Sequence, residues 1–378
     1  MNDPIYLDIN ATTPLLDEVV EAMLPYLRKH FGNPSSGHIY GRRAHDGVEA
    51  ARAQVASLIG ATPREIVFTS GGTEANNLAI RGTVAPGSTR NHVITSVIEH
   101  PATTNPCRLL ERQGFEVTRL GVDENGRVRS EEVKESLTNR TSLVTLMHAN
   151  NETGTIQPIT EVSPAVREAG ALFHTDAAQS VGKVDVKVDD LGVDLLSIAG
   201  HKLYGPKGVG ALYVRKGVIL EPVLLGAGHE QGLRPGTENV GSIVGFGAAC
   251  EIAANQLAEE TARIRSLRDE LWSLLQERIP GIALNGHEFL RLPNTLNVRF
   301  PGVRGSALLA GAPEIAASTG SACHERGESA SAVLLAMGLD PDDAIGSVRL
   351  SLGRLTTRDD ILKATEVLTR SIRNQEQF

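Results

Sequence analysis

From Glu65 to Val214 the chain repeats one pattern: a short apolar run, a loop of turn formers, then a segment with helical spacing. Residues 66–69, 92–96, 116–120, 143–147, 193–198 and 210–214 read as strands, and 171–176 completes the set. Helical periodicity falls between them, at 76–80, 104–113, 131–137 and 162–169. Strands joined through helices require right-handed crossovers. The pattern therefore predicts an α/β fold, a mostly parallel sheet sandwiched by helices. Functional groups in such sheets gather beyond the carboxyl ends of the strands. Gly72, Thr73, His100, Asn151, Asp176, His201 and Lys202 all fall there.

The flanking segments predict a division of the chain. Two amphipathic helices, 15–29 and 41–59, precede the alternation, and residues 249–279 read as one long helix after it. A strand at 294–300 and a last helix at 359–372 follow. The expected organisation is a large domain at 13–248 and a smaller α+β C-terminal domain at 249–378, with residues 1–12 packing near the latter.

Composition excludes several classes. A net charge of -8, with no block of five or more basic residues, gives no reason to expect nucleic acid as a partner. Three scattered cysteines, Cys107, Cys250 and Cys323, form neither a disulfide framework nor a zinc pattern. This fits a reducing compartment. No apolar run reaches the roughly 18 residues of a membrane span, and the N-terminus lacks a signal-peptide pattern. The expectation is a cytoplasmic protein with no metal site.

The chemistry centres on Lys202. It ends an apolar strand in a Gly-His-Lys turn that Gly205-Pro206 keeps from becoming a helix. Desolvation lowers a lysine's pKa, which frees the amine to attack a carbonyl. Asp176 ends the preceding strand. Such a pair suits pyridoxal phosphate, with the lysine in a Schiff base and the carboxylate on the pyridinium nitrogen. A structural ion pair with a surface lysine is the alternative reading. Ser70-Gly71-Gly72-Thr73, between a strand and a helix, offers backbone N–H groups to a phosphate, or is a plain tight turn. His201 could donate to the same phosphate, and His100 could lie flat on a ring. Gln179 could reach the cofactor's phenolic oxygen. Asn33, in the loop 32–37, could border a polar ligand. Cys323 stands between small residues and the run His324-Glu325-Arg326-Gly327, where a thiol is exposed and its pKa lowered by its neighbours. Arg354 is placed for a two-pronged grip on a substrate carboxylate.

Taken together, Asn10-Ala11-Thr12-Thr13-Pro14, Gly71-Gly72-Thr73-Glu74-Ala75-Asn76-Asn77, Glu99-His100-Pro101, Asn150-Asn151-Glu152-Thr153-Gly154, Asp176-Ala177-Ala178-Gln179, Gly200-His201-Lys202, Arg234-Pro235-Gly236-Thr237 and Ser321-Ala322-Cys323 resemble the cysteine desulfurases. These are pyridoxal-phosphate enzymes of fold type I, in the class V aminotransferase group. The resemblance implies Schiff-base Lys202, pyridinium partner Asp176, ring-stacking His100, and Asn151 and Gln179 near the ring oxygen and substrate. It also implies Gly72, Thr73 and His201 at the phosphate and Arg354 on the substrate carboxylate. Thr237 would reach the phosphate of a partner subunit, which makes a homodimer. The implied reaction turns L-cysteine into L-alanine and leaves a persulfide on Cys323. A sulfur-acceptor protein, with iron–sulfur cluster biogenesis as a use of that sulfur, follows from the same resemblance. Two departures stand out. Ala199 occupies a position where the family often has a phosphate-binding serine. His324 after the cysteine, together with Arg291-Leu292-Pro293-Asn294-Thr295, is similar to the selenocysteine lyases, for which L-selenocysteine would be the substrate.

Overall fold

A computed structural model describes residues 3–84, 89–319 and 329–375. Its twelve strands are β1 Ile5–Tyr6, β2 Ile66–Thr69, β3 His92–Ser96, β4 Glu116–Leu120, β5 Thr141–Met147, β6 Leu172–Asp176, β7 Leu195–Ala199, β8 Gly210–Val214, β9 Ala283–Asn285, β10 Thr295–Arg299, β11 Ile315–Ala316 and β12 Ser347–Ser351. Seven of them form one sheet in the order β2-β8-β7-β6-β5-β3-β4. Every pairing is parallel except those of β8, which runs against both β2 and β7. The fold is thus the α/β class expected from the alternation, with one reversed strand. The central strands β5 to β8 are almost wholly buried, because helices cover both faces and neither side of these strands meets water.

That sheet has a core of its own, in which Val55, Phe68, Ile94, Phe173, Ile198 and Phe246 pack together. A second core joins Leu271, Val298, Leu308, Leu350 and Leu368 around the antiparallel sheet β12-β10-β9. Leu7 belongs to this second core, and β1 pairs in parallel with β11. One helix, Val240–Arg278, serves both: Ile243, Phe246 and Cys250 enter the first core, Leu267, Leu271 and Leu275 the second. It begins nine residues before the start that periodicity gives. Gly241, Gly245 and Gly247 weaken the sequence signal there, but a Cβ on Gly247 would lie 2.6 Å from Ala51 Cα. Close packing against the Ile39–Ile59 helix therefore overrides the poor helix propensity of glycine. Among the described residues, no helix is long and apolar enough to cross a membrane.

Candidate active site

The carboxyl ends of β2, β6 and β7 surround a cavity of about 400 Å³, within the usual range for small-molecule sites. Lys202 enters it from the single 3-10 turn Gly200–Lys202 that follows β7. Thr13 pins this turn: its N–H and Oγ1 both donate to the His201 carbonyl at 3.1 Å, and its Oγ1 accepts from Tyr204 N at 2.8 Å. Tyr204 sits at φ 65, a left-handed conformation that a bulky residue holds only when its surroundings impose it. The Lys202 amine donates to the carbonyls of Asn10 and Ala11, at 2.6 and 2.7 Å. Burial and the nearby Arg349 charge lower its pKa to about 8.

Asp176 lies at the cavity wall with both oxygens engaged. Oδ2 accepts from Asn76 Nδ2 at 2.7 Å, and Oδ1 from Ala178 N at 3.0 Å. A carboxylate has about four acceptor positions, so further donors can still reach it. Asn76 is a site residue that periodicity does not reveal. It lies on the buried face of the Gly72–Gly82 helix, and a fully buried asparagine in such a place is the signal. The N-terminus of that helix, with Gly72 and Thr73, opens onto the same cavity. Gly210 makes this approach possible: a Cβ there would lie 2.8 Å from Gly71 Cα.

Two imidazoles line the cavity in neutral form. His100 caps the helix Pro101–Arg112, and its Nδ1 accepts from Ala102 N at 3.1 Å. The remaining nitrogen, Nε2, therefore carries the proton, and burial depresses the ring's pKa. His201 Nδ1 lies 3.2 Å from Thr12 Oγ1, and burial with the Lys202 charge lowers its pKa to about 4.

The far wall is built from both cores. Asn151, Gln179, Asn10 and Arg349 line it. Arg349, from β12, donates through Nη2 to Asp8 Oδ1 at 2.6 Å and through Nη1 to the Asn151 carbonyl at 3.0 Å. Its Nε has no partner among the described residues. Asn10 Nδ2 donates to Thr295 Oγ1 and to the Asn151 carbonyl. The sequence assigns no role to Asn10 or Arg349, since each meets partners hundreds of residues away.

Arg354, expected on the substrate carboxylate, does not line this cavity. Its guanidinium lies over the Tyr204 ring at 5.6 Å and bonds Gln256 Oε1, while its backbone N donates to Tyr204 Oη at 2.7 Å. The chain leaves β12 at Ser351, and the segment 352–354 carries Arg354 towards the Val240–Arg278 helix. Arg349, still within the strand, keeps its side chain at the site. Asn33 also lies elsewhere, exposed, with its Oδ1 accepting from Ser35 N. Thr237 is exposed and does not line the cavity. Cys323 and His324 lie outside the described residues. Cys107 and Cys250 are buried, and burial pushes the Cys107 thiol up to about 12 and the Cys250 thiol higher still, so both stay protonated.

A family model described as Aminotransferase class-V matches residues 5–363. The chain belongs to the class-V aminotransferases. Among relatives of this family, a protein named cysteine desulfurase IscS from Dictyoglomus turgidum is 47% identical over 375 residues, spanning 98% of this chain and 95% of that protein. A probable mitochondrial cysteine desulfurase from Dictyostelium discoideum is 45% identical over 98% of this chain and 83% of its own length. Two solved structures share the architecture. A NifS-like protein superposes with a TM-score of 0.92 at 37% identity, covering 98% of this chain and 99% of its own. SspA in complex with cysteine gives 0.82 at 39% identity, covering 92% of this chain and 98% of its own. The family depends on pyridoxal phosphate. The cavity fits that group: among the described residues it joins a lysine amine with no carboxylate partner, a carboxylate with acceptor room, a helix N-terminus, and a buried Asn76 Oδ1 that lacks a partner.

Proposed function

We propose that this chain is a cysteine desulfurase that converts L-cysteine to L-alanine and passes the sulfur to Cys323. One observation carries the reading: Lys202, Asp176, His100 and Arg349 line a single cavity in a chain 47% identical over most of its length to a protein of that name. Pyridoxal phosphate, when bound, supplies the electron sink. Lys202 and Asp176 would hold its reactive ends, and Gly72, Thr73 and His201 its phosphate, with Asn151 and Gln179 beside the ring.

Arg349 grips the substrate carboxylate, since its fork is already aimed by Asp8 and the Asn151 carbonyl. Lys202 Nζ, poised near pH 8, takes the proton from the substrate α-carbon and can return it. His100 presents an N–H from Nε2 across the cavity. The Cys323 thiolate attacks the substrate sulfur: a sulfur–sulfur bond forms, the carbon–sulfur bond breaks, and its electron pair stays on carbon, where a proton completes alanine. The products are alanine and a Cys323 persulfide, so atoms balance without a further oxidant.

The exposed Thr237 fits contact with a second copy's cofactor, which supports a homodimer. An acceptor protein would collect the sulfur from Cys323, and the cytoplasm is the proposed site of action. The two hydrophobic cores support a division into a large and a small domain, proposed at 13–248 and 249–378, with the Val240–Arg278 helix shared between them. Alanine release from L-cysteine and from L-selenocysteine, by wild type and Cys323→Ala, tests the reading. Activity on cysteine that disappears in the variant supports it. A strong preference for selenocysteine that survives in the variant would replace it with a selenocysteine lyase.

A further inference from the structure

Behind the cavity wall, Lys183 Nζ lies 2.8 Å from Gln179 Oε1 and 3.2 Å from Asn10 Oδ1. Gln179 and Asn10 line the cavity, and Lys183 does not. The orientation of both amides is fixed on their other sides. Asn10 Nδ2 donates to the Asn151 carbonyl at 3.2 Å, and Gln179 Nε2 donates to the Asn10 carbonyl at 2.9 Å. A carbonyl only accepts, so the nitrogens must face those carbonyls and the oxygens must face Lys183. Asn294 Nδ2 also donates to Asn10 Oδ1, at 3.0 Å, which confirms its orientation.

We propose that Lys183 is a positioning residue for the reaction: it occupies Gln179 Oε1, so that Gln179 can offer only an N–H to a ligand in the cavity. This rests on the placement of pyridoxal phosphate proposed above. The Asn10 carbonyl holds Gln179 Nε2 from one side and Lys183 holds Oε1 from the other; without the lysine contact only the first restraint opposes a rotation that would turn the oxygen on an anionic ligand oxygen, replacing a hydrogen bond with repulsion. An ion-pair role does not account for Lys183, since no carboxylate pairs with it among the described residues. The charges that face it, Lys202 and Arg349, have its own sign, and with burial they hold its amine well below the usual lysine range. Charged or neutral, the amine keeps at least two N–H groups, one for each amide oxygen.

The test uses protein reconstituted with pyridoxal phosphate: wild type, Lys183→Met, Lys183→Gln, Gln179→Ala, and the double variant Lys183→Met/Gln179→Ala. Three quantities are read for each: the pH midpoint of the visible absorption band, the cofactor dissociation constant, and the thermal midpoint of the apoprotein. A donor on a ligand oxygen stabilises its anionic form. Lys183→Met is therefore expected to raise the midpoint by about one pH unit, the size of one hydrogen bond to a charged group. Gln179→Ala should give the same rise, and the double variant no more, because the lysine acts through the glutamine. Lys183→Gln, which keeps an N–H donor in place, should restore most of the shift. An unmoved midpoint in Lys183→Met, even with a lowered thermal midpoint, overturns the proposal, as do additive shifts in the double variant. Absence of a visible band in the wild type would instead overturn the cofactor placement.

Discussion

The Lys202 amine and the Asn10 carbonyl, 192 residues apart in sequence, are joined by a 2.6 Å hydrogen bond. The N-terminal stretch thus closes over the lysine and offers it carbonyl dipoles in place of a counter-charge. That explains how the amine is held in place and yet has a lowered pKa: hydrogen bonding satisfies its protons, while burial and the Arg349 charge disfavour its ionised form. The same asparagine accepts from Gln179 and Lys183 and reaches Thr295 and Asn294 at the start of β10. Asn10 therefore ties the two sides of the cavity together, alongside Arg349.

Lys202 should leave a mark on the pH dependence of stability. Its folded pKa of about 8 lies below the ordinary value of 10.5. Between those values the unfolded chain holds a proton that the folded chain has lost, so stability rises with pH across that window. Below pH 8 the full cost of the buried charge is present. Urea unfolding of apoprotein should therefore show wild type gaining on Lys202→Met from pH 8 to pH 10. A difference that stays flat with pH would show that the amine is unperturbed.

Arg349 and Arg354 make opposite predictions. Removal of Arg349 takes away a paired charge-assisted grip, and kcat/KM for L-cysteine should fall about 100-fold, mostly through KM. Arg354→Ala removes a contact on Tyr204, so it should lower the thermal midpoint and leave kcat/KM within about threefold. Steady-state kinetics of the two variants decide between them. A large kinetic loss in Arg354→Ala with little change in Arg349→Ala would return the carboxylate role to Arg354.

The parts of this site that sequence made legible share one physical origin. Asp176, Lys202 and Gly72 mark places where a buried apolar strand stops, and a strand's end is visible in a single stretch of residues. The reversal of β8 was not visible, because Gly210–Val214 is equally apolar in either direction and only its hydrogen bonds to β2 and β7 set its sense. Arg349 and Arg354 are five residues apart in one motif, and the chain's departure from the strand at Ser351 is what separates their fates. Asn10 acts through partners distant in sequence, and Lys183, though four residues from Gln179, is tied to the site by Asn10 as well. Asn76 looks like an ordinary helix residue until the burial of its face against Asp176 is known.

Glu99 is an acid that should be carrying a proton at neutral pH. It is buried, its Oε1 accepts from Ser96 Oγ at 2.7 Å and from Met147 N at 3.0 Å, and its Oε2 has no partner among the described residues. Burial, with a contribution from the Asp176 charge, pushes its pKa up to about 8 from an ordinary 4.5. Between those values the folded chain keeps a proton that the unfolded chain has released, so stability falls as pH rises. Glu99→Gln has nothing to ionise. It should gain stability relative to wild type between pH 5 and pH 8.5 in urea titrations, and a pH-independent difference would refute the protonated state.

Ala199 offers a gain-of-function test of the phosphate end. It closes β7, is buried, and lines the cavity beside Gly72, whose ideal Cβ would sit 3.3 Å from the Ala199 methyl. A hydroxyl at that point would add one donor near the helix N-terminus without displacing Asn76 or Thr73. A hydrogen bond to a charged oxygen is worth roughly 1.5–3 kcal/mol, less what the serine loses on burial. Ala199→Ser should therefore bind pyridoxal phosphate about tenfold more tightly, measured by titrating apoprotein and following the visible band. Its kcat for cysteine should stay close to wild type, because the phosphate end takes no part in proton or sulfur transfer. Weaker binding in the variant would show that the hydroxyl is buried unsatisfied, and that the phosphate does not lie between the Gly72–Gly82 helix and the end of β7.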